Sequence, residues 1–174
     1  MSAPPPNDRS WRIAVCAAGD PSPEELAAAE EIGRLLAARG CVLVCGGLGG
    51  AMAAACRGAK SAGGVTIGIL PGYDDKAANP WVDHVVCTGL GQARNAVVAA
   101  TGQALIAVGG GFGTLSEIAL GLRLGRPVVL LGGWASTLTT GEARAVIERQ
   151  GPPPLVATSP TDAVDRAIAA VRES

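Results

Sequence analysis

Short, continuously apolar runs alternate along the chain with segments whose apolar residues recur every three to four positions. This alternation predicts strands followed by helices. Residues 12–17, 41–45, 65–70, 85–87, 104–108 and 127–131 read as strands, with 155–157 as an edge strand. Because these runs are apolar throughout, the sheet they form should be parallel and covered on both faces. Ser22-Pro23-Glu24-Glu25 predicts a helix start, with Ser22 as cap, Pro23 at the first helical position and Glu25 closing a capping box. Leu26, Ile32, Leu35 and Leu36 continue that helix to a stop at Gly40. Further helices are predicted over 51–62, 92–101, 114–124 and 142–150. A last one follows Ser159-Pro160-Thr161-Asp162, with Val164, Ile168 and Val171 on one face. The expected fold class is α/β, a doubly wound parallel sheet in a single domain over residues 11–174. Residues 1–10, which include Pro4-Pro5-Pro6, read as a disordered tail.

Glycine clusters follow three of the strands, at 46–50, 89–91 and 109–113. In a parallel sheet all three lie beyond the carboxyl ends of the strands, where ligands bind. The run Gly109-Gly110-Gly111-Phe112-Gly113-Thr114-Leu115-Ser116-Glu117 joins a strand to a helix. Bare backbone there offers several amides and the positive end of the helix dipole to one anion. One such cluster is explained equally well as a tight turn, whereas three on one edge predict a site for a phosphorylated small molecule. No GxxxxGK followed by Ser or Thr occurs, and no loop reads GxGxxG with an acidic residue after the next strand. A standard ATPase or NAD-dependent enzyme is therefore disfavoured.

Length and charge narrow the choice. A chain of 174 residues with 48% hydrophobic content fills one core. The net charge is -1 with no concentration of Lys or Arg, so nucleic acid is not expected as a partner. No apolar run reaches the length of a membrane span, and the N-terminal stretch is polar, so the expectation is a cytoplasmic protein without a membrane partner. Cys16, Cys41, Cys45, Cys56 and Cys87 form no CxxC pair and read as free, small buried hydrophobes.

Two charged residues stand out. Arg94 falls in the first turn of its helix, where a cation opposes the macrodipole, and an anionic ligand gripped by the guanidinium compensates for that. Glu117 has two readings of equal weight. It can close a capping box with Thr114, or it can stand beside the anion site to bind a sugar or act as general acid or base. Asn95 either reaches a ligand or faces a neighbouring helix. Residues 73–83 form an excursion long enough to be a lid, in which Trp81 reads as an anchor. Asp74, Asp75, Asp83 and His84 are too irregularly spaced to predict a metal site.

Val44-Cys45-Gly46-Gly47 through Gly50-Ala51-Met52, then Ala93-Arg94-Asn95-Ala96, then Gly109 to Glu117 resemble, in order and spacing, the LOG-like (SLOG) superfamily, formerly labelled lysine decarboxylases. The resemblance runs from about Ile13 to Gly133 and implies a Rossmann-like ligand-binding domain. Cytokinin-activating members are phosphoribohydrolases that split a nucleoside 5′-monophosphate into base and ribose 5-phosphate, with an Arg-Lys pair followed by PGGxGTxxE. The resemblance implies that Arg94 and Glu117 are the catalytic pair if the protein is an enzyme. It also implies that Gly46, Gly47, Gly50, Met52, Arg94, Asn95, Gly110, Gly111, Gly113, Thr114 and Glu117 surround the ligand and its phosphate. Asn95 stands where the enzymes carry lysine, Gly109 where they carry proline, and Ser116 where a further glutamate is common. In this the chain is closer to the molybdenum cofactor carrier branch, which implies a binding or carrier protein for a phosphate-bearing pterin or nucleotide. The alternative is a nucleoside 5′-monophosphate phosphoribohydrolase. Either way no cofactor is required, molybdenum cofactor or a nucleoside monophosphate is the expected ligand, and a homodimer or homotetramer is expected.

Overall fold

A computed structural model describes residues 10–173, so residues 1–9 of the expected tail fall outside the described residues. Seven strands form one sheet: β1 (Arg12–Ala17), β2 (Val42–Cys45), β3 (Thr66–Leu70), β4 (His84–Cys87), β5 (Ala104–Val108), β6 (Val128–Leu131) and β7 (Leu155–Ala157). Their order is β4-β3-β2-β1-β5-β6-β7, and every pairing is parallel. The helices are α1 (Pro23–Ala38), α2 (Ala51–Ser61), α3 (Asn95–Thr101), α4 (Phe112–Arg123), α5 (Ala135–Leu138), α6 (Gly141–Glu148) and α7 (Pro160–Glu173).

Successive strand residues point to opposite faces, and here both faces are apolar. Ile13, Val15, Leu43 and Ile106 face α1, α2 and α7, while Ala14, Cys16, Val44 and Leu105 face α3 and α4. That is why the strands read as unbroken apolar runs. Burying each large aliphatic side chain contributes about 1.5–3 kcal/mol. Helix α1 begins as its sequence dictates: Ser22 Oγ accepts from the Glu25 amide at 3.2 Å, and Glu25 Oε2 accepts from the Ser22 amide at 2.9 Å. It packs closely on α2, where a Cβ added at Gly33 would collide with the Ala55 carbonyl oxygen.

The chain leaves β1 for β2 on one side, while β5 and β6 continue on the other. The loops after β1 and β5 therefore diverge and open a crevice at the switch point. Three elements depart from the sequence reading. Helix α4 begins at Phe112 with Gly111 as its cap residue, two positions before the expected start. Residues 91–94 form a 3-10 turn ahead of α3, and α5 was not anticipated. Cys87 is exposed on the edge strand β4, whereas the other four cysteines are buried.

A candidate anion site at the switch point

The crevice is a cleft of about 400 Å³. Among the residues singled out in the sequence, Met52, Arg94, Asn95, Gly111, Gly113, Thr114 and Glu117 line it. Gly46, Gly47, Gly50 and Gly110 do not stand on its wall; they shape the backbone behind it. A Cβ at Gly46 would collide with the Arg94 guanidinium, so its missing side chain is the space in which that group lies. Gly110, at φ +98°, packs over the Thr114 side chain. Gly47 rests against Leu70 and Gly68, and Gly50 against the Ala18 and Gly19 carbonyls.

Helix α4 supplies the donors. The amides of Phe112, Gly113 and Thr114 precede the first intrahelical bond, in which the Leu115 amide donates to the Gly111 carbonyl at 3.0 Å. No side chain caps them. Trp134 holds the loop from behind: its indole N–H donates to the Gly111 carbonyl at 3.3 Å and its ring lies 6.2 Å from that of Phe112.

Arg94 is 6% exposed, so it is not a solvated surface arginine. Its Nε has no hydrogen-bond partner among the described residues. The nearest carboxylate is Glu117, with Oε1 4.0 Å from Nη1, beyond hydrogen-bond distance. Leaving a charged donor buried and unpaired is costly, so the guanidinium is poised for a further acceptor.

Glu117 is not a capping residue. With α4 starting at Phe112, Thr114 lies inside the helix and Glu117 faces inward, 6% exposed. Burial raises its carboxyl from 4.5 to about 7, against the Arg94 charge and a hydrogen bond from the Cys16 thiol, which both pull it down. Cys16 is itself pushed well above the usual thiol range, first by burial and then by the Glu117 charge.

Asn95 faces α4. Its Nδ2 donates to Ser116 Oγ at 2.8 Å and to the Gly113 carbonyl at 3.4 Å. Two of the three residues that depart from the hydrolase signature, Asn95 and Ser116, thus touch one another. The 71–83 excursion contributes no residue to the cleft wall. It is pegged down instead: Asn79 Nδ2 donates to the Gly47 and Leu48 carbonyls, Lys60 pairs with Asp83 at 2.7 Å, and Trp81 packs on the core under Arg57. The described residues hold no group of three His, Cys, Asp or Glu side chains placed for a metal.

Sequence reasoning missed Ala17, Ala18, Gly19, Asp20, Leu48 and Gln92 on the cleft wall, and Cys16 buried against Glu117. The usable signal was topological: Ala18-Gly19-Asp20 follows β1, and the end of that strand borders the switch point. A second hollow, about 220 Å³, lies between α4 and α6 and is mainly apolar, with Leu115, Ile118, Leu122, Leu138 and Ile147 in its walls.

A sequence model of the SLOG cluster4 family matches residues 10–162. The chain belongs to the SLOG cluster4 family. This SLOG protein resembles the solved molybdenum cofactor binding protein of the phototrophic bacterium Rippkaea orientalis, at 36% identity and a TM-score of 0.85 over 94% of this chain and 98% of that one. The molybdenum cofactor carrier protein of Chlamydomonas reinhardtii superposes with a TM-score of 0.83 at 34% identity, over 95% of this chain and 100% of that one. A cytokinin riboside 5′-monophosphate phosphoribohydrolase of Mycobacterium marinum is 36% identical over 122 residues, 68% of this chain and 65% of the enzyme.

Proposed function

We propose that this SLOG protein binds a phosphate-bearing pterin or nucleotide as a carrier, with molybdenum cofactor the first candidate cargo. Arg94 carries the proposal: a buried guanidinium with an unpaired Nε, in the cleft that the uncapped start of α4 borders. A phosphate placed there accepts from the amides of Gly113 and Thr114 and from Arg94 together. Ala18, Leu48 and Met52 offer the organic end an apolar wall. Nearly full-length likeness to two proteins named for binding or carrying molybdenum cofactor supports the carrier over the enzyme.

The carrier needs no cofactor of its own, works in the cytoplasm and assembles as a homodimer or homotetramer. Among the described residues no helix is long and apolar enough to cross a membrane.

Glu117 favours a second reading. A carboxyl near 7 in the cleft suits a general acid or base, and with Arg94 it supplies the pair a phosphoribohydrolase requires. Mass spectrometry of small molecules released from the purified protein, together with incubation with AMP, separates the two. The carrier releases a phosphorylated pterin or nucleotide and leaves AMP intact. Free adenine that disappears in Glu117→Ala overturns the carrier in favour of the enzyme.

A further inference from the structure

We propose that Asn95 and Ser116 are positioning residues, a clamp that fixes the first turn of α4 against the turn carrying Arg94. The inference rests on the anion site described above and gives these two side chains a role that does not involve touching the ligand.

Ser116 Oγ donates to the Gly113 carbonyl at 2.7 Å, which spends its one hydrogen. At its 2.8 Å contact with Asn95 the hydroxyl oxygen therefore accepts, and this fixes which end of the Asn95 carboxamide faces α4. Both Nδ2 hydrogens go to protein, one to Ser116 and one to Gly113. The amino group of Asn95 has nothing left to donate to a ligand.

The Gly113 carbonyl is thus held from two sides. That carbonyl shares a planar, trans peptide with the Thr114 amide, so holding the oxygen sets the direction in which the Thr114 N–H points. Asn95 also follows Arg94 directly in the chain. One short network therefore ties an amide donor of the site to the backbone of its guanidinium. The fold does not require it, since α3 and α4 share an apolar seam through Val98, Ala99 and Ile118. Ser116 is half-buried and absent from the cleft wall, so changing it removes no ligand contact.

The test is a thermal-shift titration of the full chain with inorganic phosphate, against chloride at matched ionic strength, for wild type, Ser116→Ala, Ser116→Thr and Asn95→Asp. Ser116→Ala should raise the half-saturating phosphate concentration about fivefold, the loss of one hydrogen bond's worth of alignment. Ser116→Thr keeps the hydroxyl and should stay within about twofold of wild type. Asn95→Asp sets a carboxylate against the Gly113 carbonyl and a negative charge on the cleft wall, and should weaken binding more than about tenfold. The unliganded melting temperatures of the two Ser116 variants should match wild type. Equal phosphate affinity in Ser116→Ala and wild type, or equal weakening by Ala and Thr, overturns the clamp. If wild type itself is not stabilised by phosphate, the anion site fails and takes the clamp with it. If wild type is stabilised and Ser116→Ala equally so, the clamp alone fails.

Discussion

Replacing Glu117 by glutamine removes a carboxyl that folding has moved from 4.5 to about 7. The folded protein holds this proton more tightly than the unfolded chain. The stability it contributes is therefore fully present below about 4.5, declines as pH rises, and is gone above about 7. A displacement of that size corresponds to about 3 kcal/mol. Both side chains of the Arg94–Glu117 pair are 8% exposed, so solvent screens this little. Glutamine has nearly the same shape and stays neutral throughout. Urea unfolding of wild type and Glu117→Gln from about pH 5 to about pH 9 reads the difference directly. The two should differ little at the acid end, and the glutamine variant should gain, relative to wild type, up to about 3 kcal/mol by about pH 8. Anion binding is linked to the same proton, because a phosphate beside Glu117 favours its neutral form. Wild-type affinity for sulfate, an anion whose charge does not change in this range, should therefore fall as pH rises through about 7, while that of Glu117→Gln stays flat. A stability difference that does not change with pH would refute the assignment of Glu117 as a buried, proton-holding carboxyl.

Arg94→Met keeps the bulk of the side chain and removes the charge, so stabilisation by phosphate in a thermal-shift titration should vanish while the unliganded fold survives. Gly46→Ala pushes a methyl into the space occupied by the Arg94 guanidinium and should weaken phosphate binding about tenfold or more by calorimetry, the equivalent of one charge-assisted hydrogen bond. Gly33→Ala drives a methyl into the Ala55 carbonyl of α2 and should cost about 1–3 kcal/mol in urea unfolding, with m unchanged.

The sheet was legible because each central strand is buried on both faces, which leaves an unbroken apolar run such as Ala104-Leu105-Ile106-Ala107-Val108 in the sequence. Helix α1 was legible because Ser22 and Glu25 cap it through contacts three residues apart. The site was half legible. Glycines after β2 and β5 lie at the sheet edge where the cleft opens, yet those at 46, 47, 50 and 110 sit behind the cleft, where they make room for Arg94 and Thr114 or support the loops. The Thr114–Glu117 pattern matched a capping box equally well, and only the start of α4 at Phe112, with Cys16 and Arg94 packed around the carboxylate, decides against it. Cys16 and Asp20 carried no local signal, because strand order rather than neighbouring residues brings Asp20 to the cleft and Cys16 against Glu117. The 71–83 segment had the length of a lid, but Asn79 and Trp81 hold it down through contacts distant in sequence.

A crystal structure of the protein soaked with AMP tests the central claim most directly. The phosphate group should lie within hydrogen-bond distance of the Gly113 and Thr114 amides, with the Arg94 Nε or Nη atoms donating to the same oxygens. Phosphate bound elsewhere, or an Arg94 guanidinium turned away from it, would contradict the account.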